Sequence, residues 1–206
     1  MSKKELEGEK VDYNFRILII GNTSVGKTSV LIRYADDYFS QIHLATIGID
    51  KKSKILDINN KKIKLTIMDT AGQEKLNSLT TSLYKNADGV FLIYAIDDKA
   101  SFESITKWYK DIKDFAHQHV EVVLLGNKCD LSTREVTEEE GKELAKNNNL
   151  PFFETSAKDT TNINEAFNCI VTNLLKNKSN STVNEGEKKT FFIAEVKKKR
   201  KDVVVN

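Results

Sequence analysis

Residues 21–28 form a glycine-rich segment that joins an apolar run, residues 15–20, to a stretch with the pattern of a helix. Glycines permit a tight turn in which successive backbone N–H groups converge on a phosphate at a helix N-terminus. Lys27 would reach the β- and γ-phosphates of a nucleotide, and the Thr28 hydroxyl would bind Mg²⁺. A chance glycine-rich turn is the alternative, which the flanking strand and helix disfavour. The expected phosphate-binding residues are Asn22, Thr23, Ser24, Val25, Gly26, Lys27, Thr28 and Ser29.

Two polar segments further along the chain would select the base. Residues 127–130 and 156–158 each follow a predicted buried strand, where open α/β sheets place their ligand sites. The Asp130 carboxylate would accept hydrogen bonds from two N–H groups of guanine that adenine cannot offer, and such a site rejects the wrong base by roughly 10⁴–10⁵. Taken alone, residues 127–130 are equally compatible with a surface turn, and the order of the motifs favours the guanine site.

The other members of these segments complete the predicted base site. Asn127 would tie the loops together and contact the base. Lys128 and Lys158 would flank the ring, and the Ala157 N–H would reach the guanine oxygen. Ser156 belongs to the same site.

A third segment supplies groups for Mg²⁺ and for a γ-phosphate. Asp69 stands at the end of a predicted strand, where its carboxylate would hold Mg²⁺ through the water bound to the ion. Gly72 would offer a backbone N–H to the γ-phosphate, and Gln73 would orient an attacking water. Thr46 could bind Mg²⁺ only while its loop is closed over a triphosphate. The expected catalytic residues are Gln73, Lys27 and Gly72, and the expected metal-binding residues are Thr28, Thr46 and Asp69.

Together these motifs resemble the Ras superfamily of small GTPases, most closely its Rab branch, over residues 13–176. Phe39 falls at the aromatic position that stacks on guanine, and His43 stands where the family often has a tyrosine that covers the nucleotide. The resemblance implies an α/β fold, the three-layer P-loop NTPase type known as the Ras-like G domain. Its six-stranded sheet would be mainly parallel, with one antiparallel strand.

The resemblance also implies a function. It indicates a molecular switch that binds GTP or GDP with Mg²⁺, hydrolyses GTP slowly, depends on an activating protein and regulates vesicle and membrane traffic. Two alternatives stay open. The first is a nucleotide-loaded binding scaffold with little or no hydrolysis and atypical effectors, and the second is a P-loop ATPase or kinase. The second alternative would leave residues 127–130 unexplained.

The surface through which Rabs signal departs from the family pattern. Rabs usually carry aromatic residues at the positions of Lys51 and Met68, which we expect to form an exposed patch with Tyr84. A charged and a pliant side chain at these positions disfavour ordinary Rab effectors. We expect exchange factor, activating protein and effectors to bind through residues about 40–51 and 68–84.

Length and composition suit one α/β domain with two tails. The chain has 206 residues, 39% of them hydrophobic, and we expect a flexible tail over 1–12, a small GTPase domain over 13–176 and a mostly disordered tail over 177–206. A net charge of +2 gives no basic footprint for nucleic acid. Two cysteines, Cys129 and Cys169, indicate reduced cytoplasmic thiols rather than a disulfide framework.

The C-terminal tail bears on membrane contact. No apolar run approaches the roughly 20 residues of a membrane-spanning helix. The basic cluster at residues 197–201 could bind anionic lipid on endomembranes or act as a nuclear-import-like patch, and a plain solvated tail is the third possibility. No prenylatable cysteine ends the sequence, so either the protein is not lipidated or a terminal cysteine is missing from this sequence.

Hydrophobic periodicity predicts where the elements lie. It indicates strands near 14–21, 48–58, 61–69 and 89–95, with a hairpin turn at Asn59 and Asn60. Helices are expected over 27–37 and 101–117. A capping box at Thr137 would open another helix, and residues 162–165 would cap the last one.

Overall fold

The structure is a computed structural model that describes residues 10–40, 49–70 and 77–179. Strands and helices alternate along this part of the chain. The strands are β1 (Tyr13–Ile20), β2 (Ile49–Ile58), β3 (Lys61–Thr70), β4 (Gly89–Ala95), β5 (Glu121–Asn127) and β6 (Phe152–Thr155). The helices are α1 (Lys27–Asp36), α2 (Asn77–Asn86), α3 (Lys99–Glu103), α4 (Ile105–Phe115), α5 (Glu138–Asn147) and α6 (residues 163–179).

The six strands form one sheet in the order β2-β3-β1-β4-β5-β6. All neighbouring pairs are parallel except β2 and β3, which are antiparallel. This arrangement confirms the predicted α/β fold. Because the parallel strands run the same way, their carboxyl ends share one edge of the sheet, and the loops that carry the predicted motifs leave from that edge.

The core follows from the composition of the central strands. Every residue of β4 is buried, and β1 buries Phe15 and all of its last four residues. Such continuous apolar runs are typical of parallel strands that are covered on both faces. The aromatic ring of Phe167, on α6, lies 4.6 Å from that of Phe91 and 3.5 Å from that of Tyr34.

Local turn and cap signals have the predicted geometry. Asn59 and Asn60 have φ of 52° and 60°, which are the left-handed values that a two-residue hairpin loop of type I′ requires. At the start of α5, the Thr137 side chain accepts from the N–H of Glu140, whose side chain accepts from the N–H of Thr137. The predicted hairpin and capping box are therefore confirmed.

The single helix predicted over residues 101–117 is wrong in its extent. The structure has two helices there, α3 and α4, which are separated at Ser104. Asp98 begins α3 by accepting from the Ser101 N–H. Periodicity did not show the break, since Ser104 keeps helical dihedral angles of −68° and −15° while it ends one helix and begins the next.

The chain divides into two compact units, residues up to Ile170 and residues from Val171 onward. The first contains the whole sheet. Within the second, the structure describes a continuation of helix as far as residue 179. The predicted boundaries at residues 12, 13, 176 and 177 stay a prediction, and the basic cluster at 197–201 lies outside the described residues.

Candidate functional site

The glycine-rich loop between β1 and α1 has a backbone that only glycine can supply at two points. Gly21 and Gly26 have φ of 144° and 93°. A Cβ atom at Gly21 would lie 2.1 Å from the carbonyl oxygen of Ile93, and one at Gly26 would lie 2.4 Å from Nδ2 of Asn127. Ser24 also has a positive φ, 66°. The loop is therefore a tight turn whose N–H groups lead into the N-terminus of α1, as an anion-binding loop requires.

Lys27 is the first residue of α1 and is only 6% exposed. Its Nζ donates to the carbonyl oxygens of Gly21 and Asn22, at 2.9 and 2.6 Å. Burial lowers the pKa of Lys27 to about 8, although the negative charge of Asp69 opposes this shift. A buried ammonium with neutral carbonyls as its nearest partners is well placed to attract an anion.

Thr28 and Asp69 meet beside this lysine. The Thr28 hydroxyl donates to Oδ2 of Asp69, which is fully buried near the end of β3. A hydroxyl and a carboxylate oxygen in contact, next to the predicted phosphate-binding loop, form the hard oxygen donor set that Mg²⁺ prefers. The residues present therefore fit the predicted ion.

Asn127, the last residue of β5, joins the two halves of the site. Its Nδ2 donates to the carbonyl oxygen of Val25 at 2.8 Å, and its Oδ1 accepts from the Thr155 hydroxyl at 3.2 Å. These bonds tie the phosphate loop to the ends of β5 and β6, as expected for Asn127. Contact between Asn127 and a base stays a prediction.

Asp130 is the centre of the second half of the site. Its side chain is 6% exposed. Oδ1 accepts from the Ser156 hydroxyl at 2.7 Å, and Oδ2 lies 3.6 Å from Nζ of Lys158. The Ser156 hydroxyl also accepts from the N–H of Asp159 at 3.0 Å. Oδ1 of Asp130 is thus held by the Ser156 hydroxyl, which is itself oriented by the N–H of Asp159.

Two side chains that the motifs did not reveal position this region. Arg33 on α1 donates through Nε to the carbonyl oxygen of Ala157 at 2.7 Å and through a terminal nitrogen to that of Lys158 at 3.2 Å. Asp97 accepts from Nζ of Lys128 at 3.1 and 3.2 Å. Neither residue belongs to a recognisable motif, since each acts on a loop far away in the sequence.

The remaining predicted residues are placed as follows. Thr23 and Ser24 are exposed, Val25 is buried, and Ser29 and Phe39 are partly buried near the two ends of α1. The Asn22 side chain bonds to Trp108 on α4 and to the Ser104 hydroxyl, while its backbone carbonyl accepts from Lys27. His43, Thr46, Gly72 and Gln73 lie outside the described residues, so their predicted roles stay predictions.

Comparison with known proteins assigns the chain to a family. Residues 16–176 match the model of a family described as Ras. The chain belongs to the Ras family. Within that family, it is 47% identical over 165 residues to the Ras-related protein Rab-13 of Canis lupus familiaris, an overlap of 80% of this chain and 81% of that protein.

Two further relatives extend the same result. The Ras-related protein Rab-3A of Homo sapiens is 46% identical over 170 residues, which are 82% of this chain and 77% of that protein. The Ras-related protein SEC4 of Saccharomyces cerevisiae is 43% identical over 160 residues, with 78% and 74% covered. These similarities confirm the prediction of a Rab-like small GTPase.

The expected exposed patch of this Rab-like protein is partly wrong. Lys51 is exposed and pairs across the hairpin with Met68, which is partly buried. Tyr84, however, is only 1% exposed, and its ring lies 6.2 Å from that of Phe115 on α4. Tyr84 faces α4 instead of solvent, and it therefore cannot belong to an exposed surface in this conformation.

Within the described ranges, no helix is long and apolar enough to cross a bilayer.

The lowered pKa of Lys27 predicts a pH dependence of stability. Between the folded value of about 8 and the ordinary lysine value of 10.5, the unfolded chain binds more protons than the folded one, so this residue's contribution to the free energy of unfolding rises with pH. From pH 7 to pH 9 the nucleotide-free protein should gain about 1 kcal/mol relative to Lys27→Met. Urea denaturation of both proteins measures this difference, and a difference independent of pH would contradict the prediction.

Removing the donors of Arg33 should loosen the loop that it holds. Arg33→Met keeps the length of the side chain but loses both bonds to the carbonyls of Ala157 and Lys158, and GDP dissociation should become about 3- to 10-fold faster. Arg16→Met, which removes an exposed arginine from β1, is the matched control for charge. Release of a fluorescent GDP analogue measures the rates, and equal rates in the two variants would show that Arg33 does not position the loop.

Proposed function

We propose that this protein is a guanine-nucleotide switch that hydrolyses GTP slowly and regulates vesicle and membrane traffic. The observation that supports this most strongly is the preorganised Asp130 carboxylate, which is almost buried and held by Ser156. Through Asn127, the region that contains it is joined to the phosphate loop. A fixed carboxylate at this position suits the paired N–H groups of guanine and offers nothing equivalent to adenine.

Binding of the phosphates follows from the loop and its lysine. Backbone N–H groups of residues 22–29 would cradle the α- and β-phosphates, and Lys27 would exchange its carbonyl partners for phosphate oxygens. Thr28 and Asp69, with Thr46 when its loop is closed, would hold Mg²⁺. When bound, the ion would supply positive charge that offsets the negative charge of the phosphates.

Hydrolysis would use residues of the predicted second switch region, which is residues about 71–84. Gly72 would donate its N–H to the γ-phosphate, and Gln73 would orient the attacking water. The arginines whose bonds the structure describes, Arg33 and Arg134, are occupied with Ala157 and Glu154. Among the described residues no arginine belongs to the predicted phosphate site, so intrinsic turnover should be on the order of 10⁻⁴ s⁻¹ and should depend on an activating protein.

Switching would follow from the loss of the γ-phosphate. In this proposal Thr46 and Gly72 would gain partners only when that phosphate and Mg²⁺ are present, so residues about 40–48 and 71–84 should change order between the GTP and GDP states. Exchange factor, activating protein and effectors would bind through residues about 40–51 and 68–84. Lys51, which is exposed, adds a charge to this surface, and that charge favours partners that differ from those of a Rab with an aromatic residue there.

Gln73→Leu tests the enzymatic part of the proposal. In single-turnover hydrolysis of GTP, this variant should release phosphate at least 10-fold more slowly than the wild type, because the attacking water loses its orienting amide. Gln118→Leu, at an exposed site after α4, is the matched control and should keep the wild-type rate. If the wild type binds GTP tightly but hydrolyses it no faster than GTP is hydrolysed in buffer alone, the protein is a binding scaffold instead.

Asp130→Asn tests the choice of base. An amide donates where the carboxylate accepted, so the variant should lose guanine preference and gain affinity for xanthine nucleotides. Asp159→Asn, an exposed neighbour, should keep the preference for guanine. Competition among GDP, XDP and ADP measures the preference, and an Asp130→Asn variant that still prefers GDP would show that another group reads the base.

A further inference from the structure

The side chain of Asn22 is held at both ends of its amide by residues around α4. Its Oδ1 accepts from the indole N–H of Trp108 at 2.8 Å, and its Nδ2 donates to the Ser104 hydroxyl at 3.0 Å. Ser104 and Trp108 follow Asn22 by 82 and 86 positions. A planar amide that is bonded at both ends cannot turn without breaking a hydrogen bond. We call this set of three side chains the amide clamp.

The clamp acts on the part of the loop that holds the buried lysine. The backbone carbonyl of Asn22 accepts from Nζ of Lys27 at 2.6 Å, the shorter of that group's two bonds to the loop. The side chain and the carbonyl belong to the same residue, so fixing the side chain restricts the position of the carbonyl. The clamp thereby restricts where the ammonium of Lys27 lies.

Trp108 and Ser104, the two partners of Asn22 in the clamp, are themselves held in place. Trp108 is 8% exposed, and its backbone N–H donates to the carbonyl oxygen of Ser104 at 3.1 Å. The Ser104 hydroxyl donates to the carbonyl oxygen of Ala100 at 2.8 Å, which leaves its oxygen free to accept from Asn22. The break between α3 and α4 at Ser104 places both clamp partners within one turn.

We infer that Trp108 and Ser104 are positioning residues for the phosphate loop, which act through Asn22 to hold the loop in its nucleotide-binding form. This inference rests on the proposed function, because it concerns how tightly that site retains a guanine nucleotide. It also gives α4 a second role besides packing. The same helix contacts α2 through Phe115 and Tyr84, so one element touches both the second switch region and the phosphate loop.

Release of a fluorescent GDP analogue, with excess unlabelled GDP at fixed Mg²⁺, tests the clamp. Trp108→Phe keeps a buried aromatic ring but removes the N–H donor, and Ser104→Ala removes the hydroxyl. Each variant should release the analogue about 3- to 10-fold faster than the wild type, the effect of one lost hydrogen bond. Ser104→Thr retains the hydroxyl and should restore the wild-type rate.

A combined variant separates positioning from general stability. In an Asn22→Ala background, where the clamp is already absent, Trp108→Phe should change the rate by less than about 2-fold, because its effect passes through Asn22. Ile112→Val, a buried change on the same helix that leaves the clamp intact, should lower the thermal unfolding temperature without accelerating release.

The outcomes are distinct. Wild-type release rates in Trp108→Phe and Ser104→Ala would overturn the clamp while the proposed function stands. Additive effects of Asn22→Ala and Trp108→Phe would overturn it in the same way, since the two residues would then act independently. If the wild type binds no guanine nucleotide, the proposed function fails and the inference fails with it.

Discussion

The amide of Asn127 is the contact on which the geometry of the site depends. It bonds the loop after β1 on one side and Thr155 at the end of β6 on the other, across the carboxyl edge of the sheet. Its close approach leaves no room for a side chain at Gly26. The phosphate loop and the ends of β5 and β6 are therefore linked by hydrogen bonds and not merely adjacent, and a ligand that touches both halves meets a preformed span.

Charge is distributed unevenly along this span. The phosphate half buries a cation whose described hydrogen bonds are to neutral carbonyls, with the carboxylate of Asp69 near enough to affect its pKa. In the base half, Asp130 has a hydroxyl donor and a lysine beside it. Burying an ammonium costs stability unless an anion compensates it. Ligand binding can supply that anion, so the phosphate half is the part of the site most stabilised by a ligand.

The sequence predicted the fold, the family and the loops that carry the motifs, and it did not predict side-chain contacts between residues far apart in the chain. The loops after β1, β5 and β6 were predicted because each motif directly follows a strand. Arg33 and Trp108 were not, because their partners lie 124 and 86 positions away and neither residue type indicates its target. The prediction that Tyr84 is exposed came from its position in a family pattern. Such a position does not show whether the side chain faces solvent or the neighbouring helix, and in the structure it faces α4. The roles of Thr46, Gly72 and Gln73 remain predictions from the sequence.

The chain contains one tryptophan, and its indole N–H is bonded to a residue of the phosphate loop. Indole emission is sensitive to the polarity and hydrogen bonding of its surroundings, and here the single indole of the chain lies almost buried beside the loop that we propose binds the phosphates. Trp108 is therefore an intrinsic fluorescent reporter of the environment of Asn22. Loss or gain of a ligand at this loop should therefore change the emission of unlabelled wild-type protein, with no second tryptophan to obscure the signal.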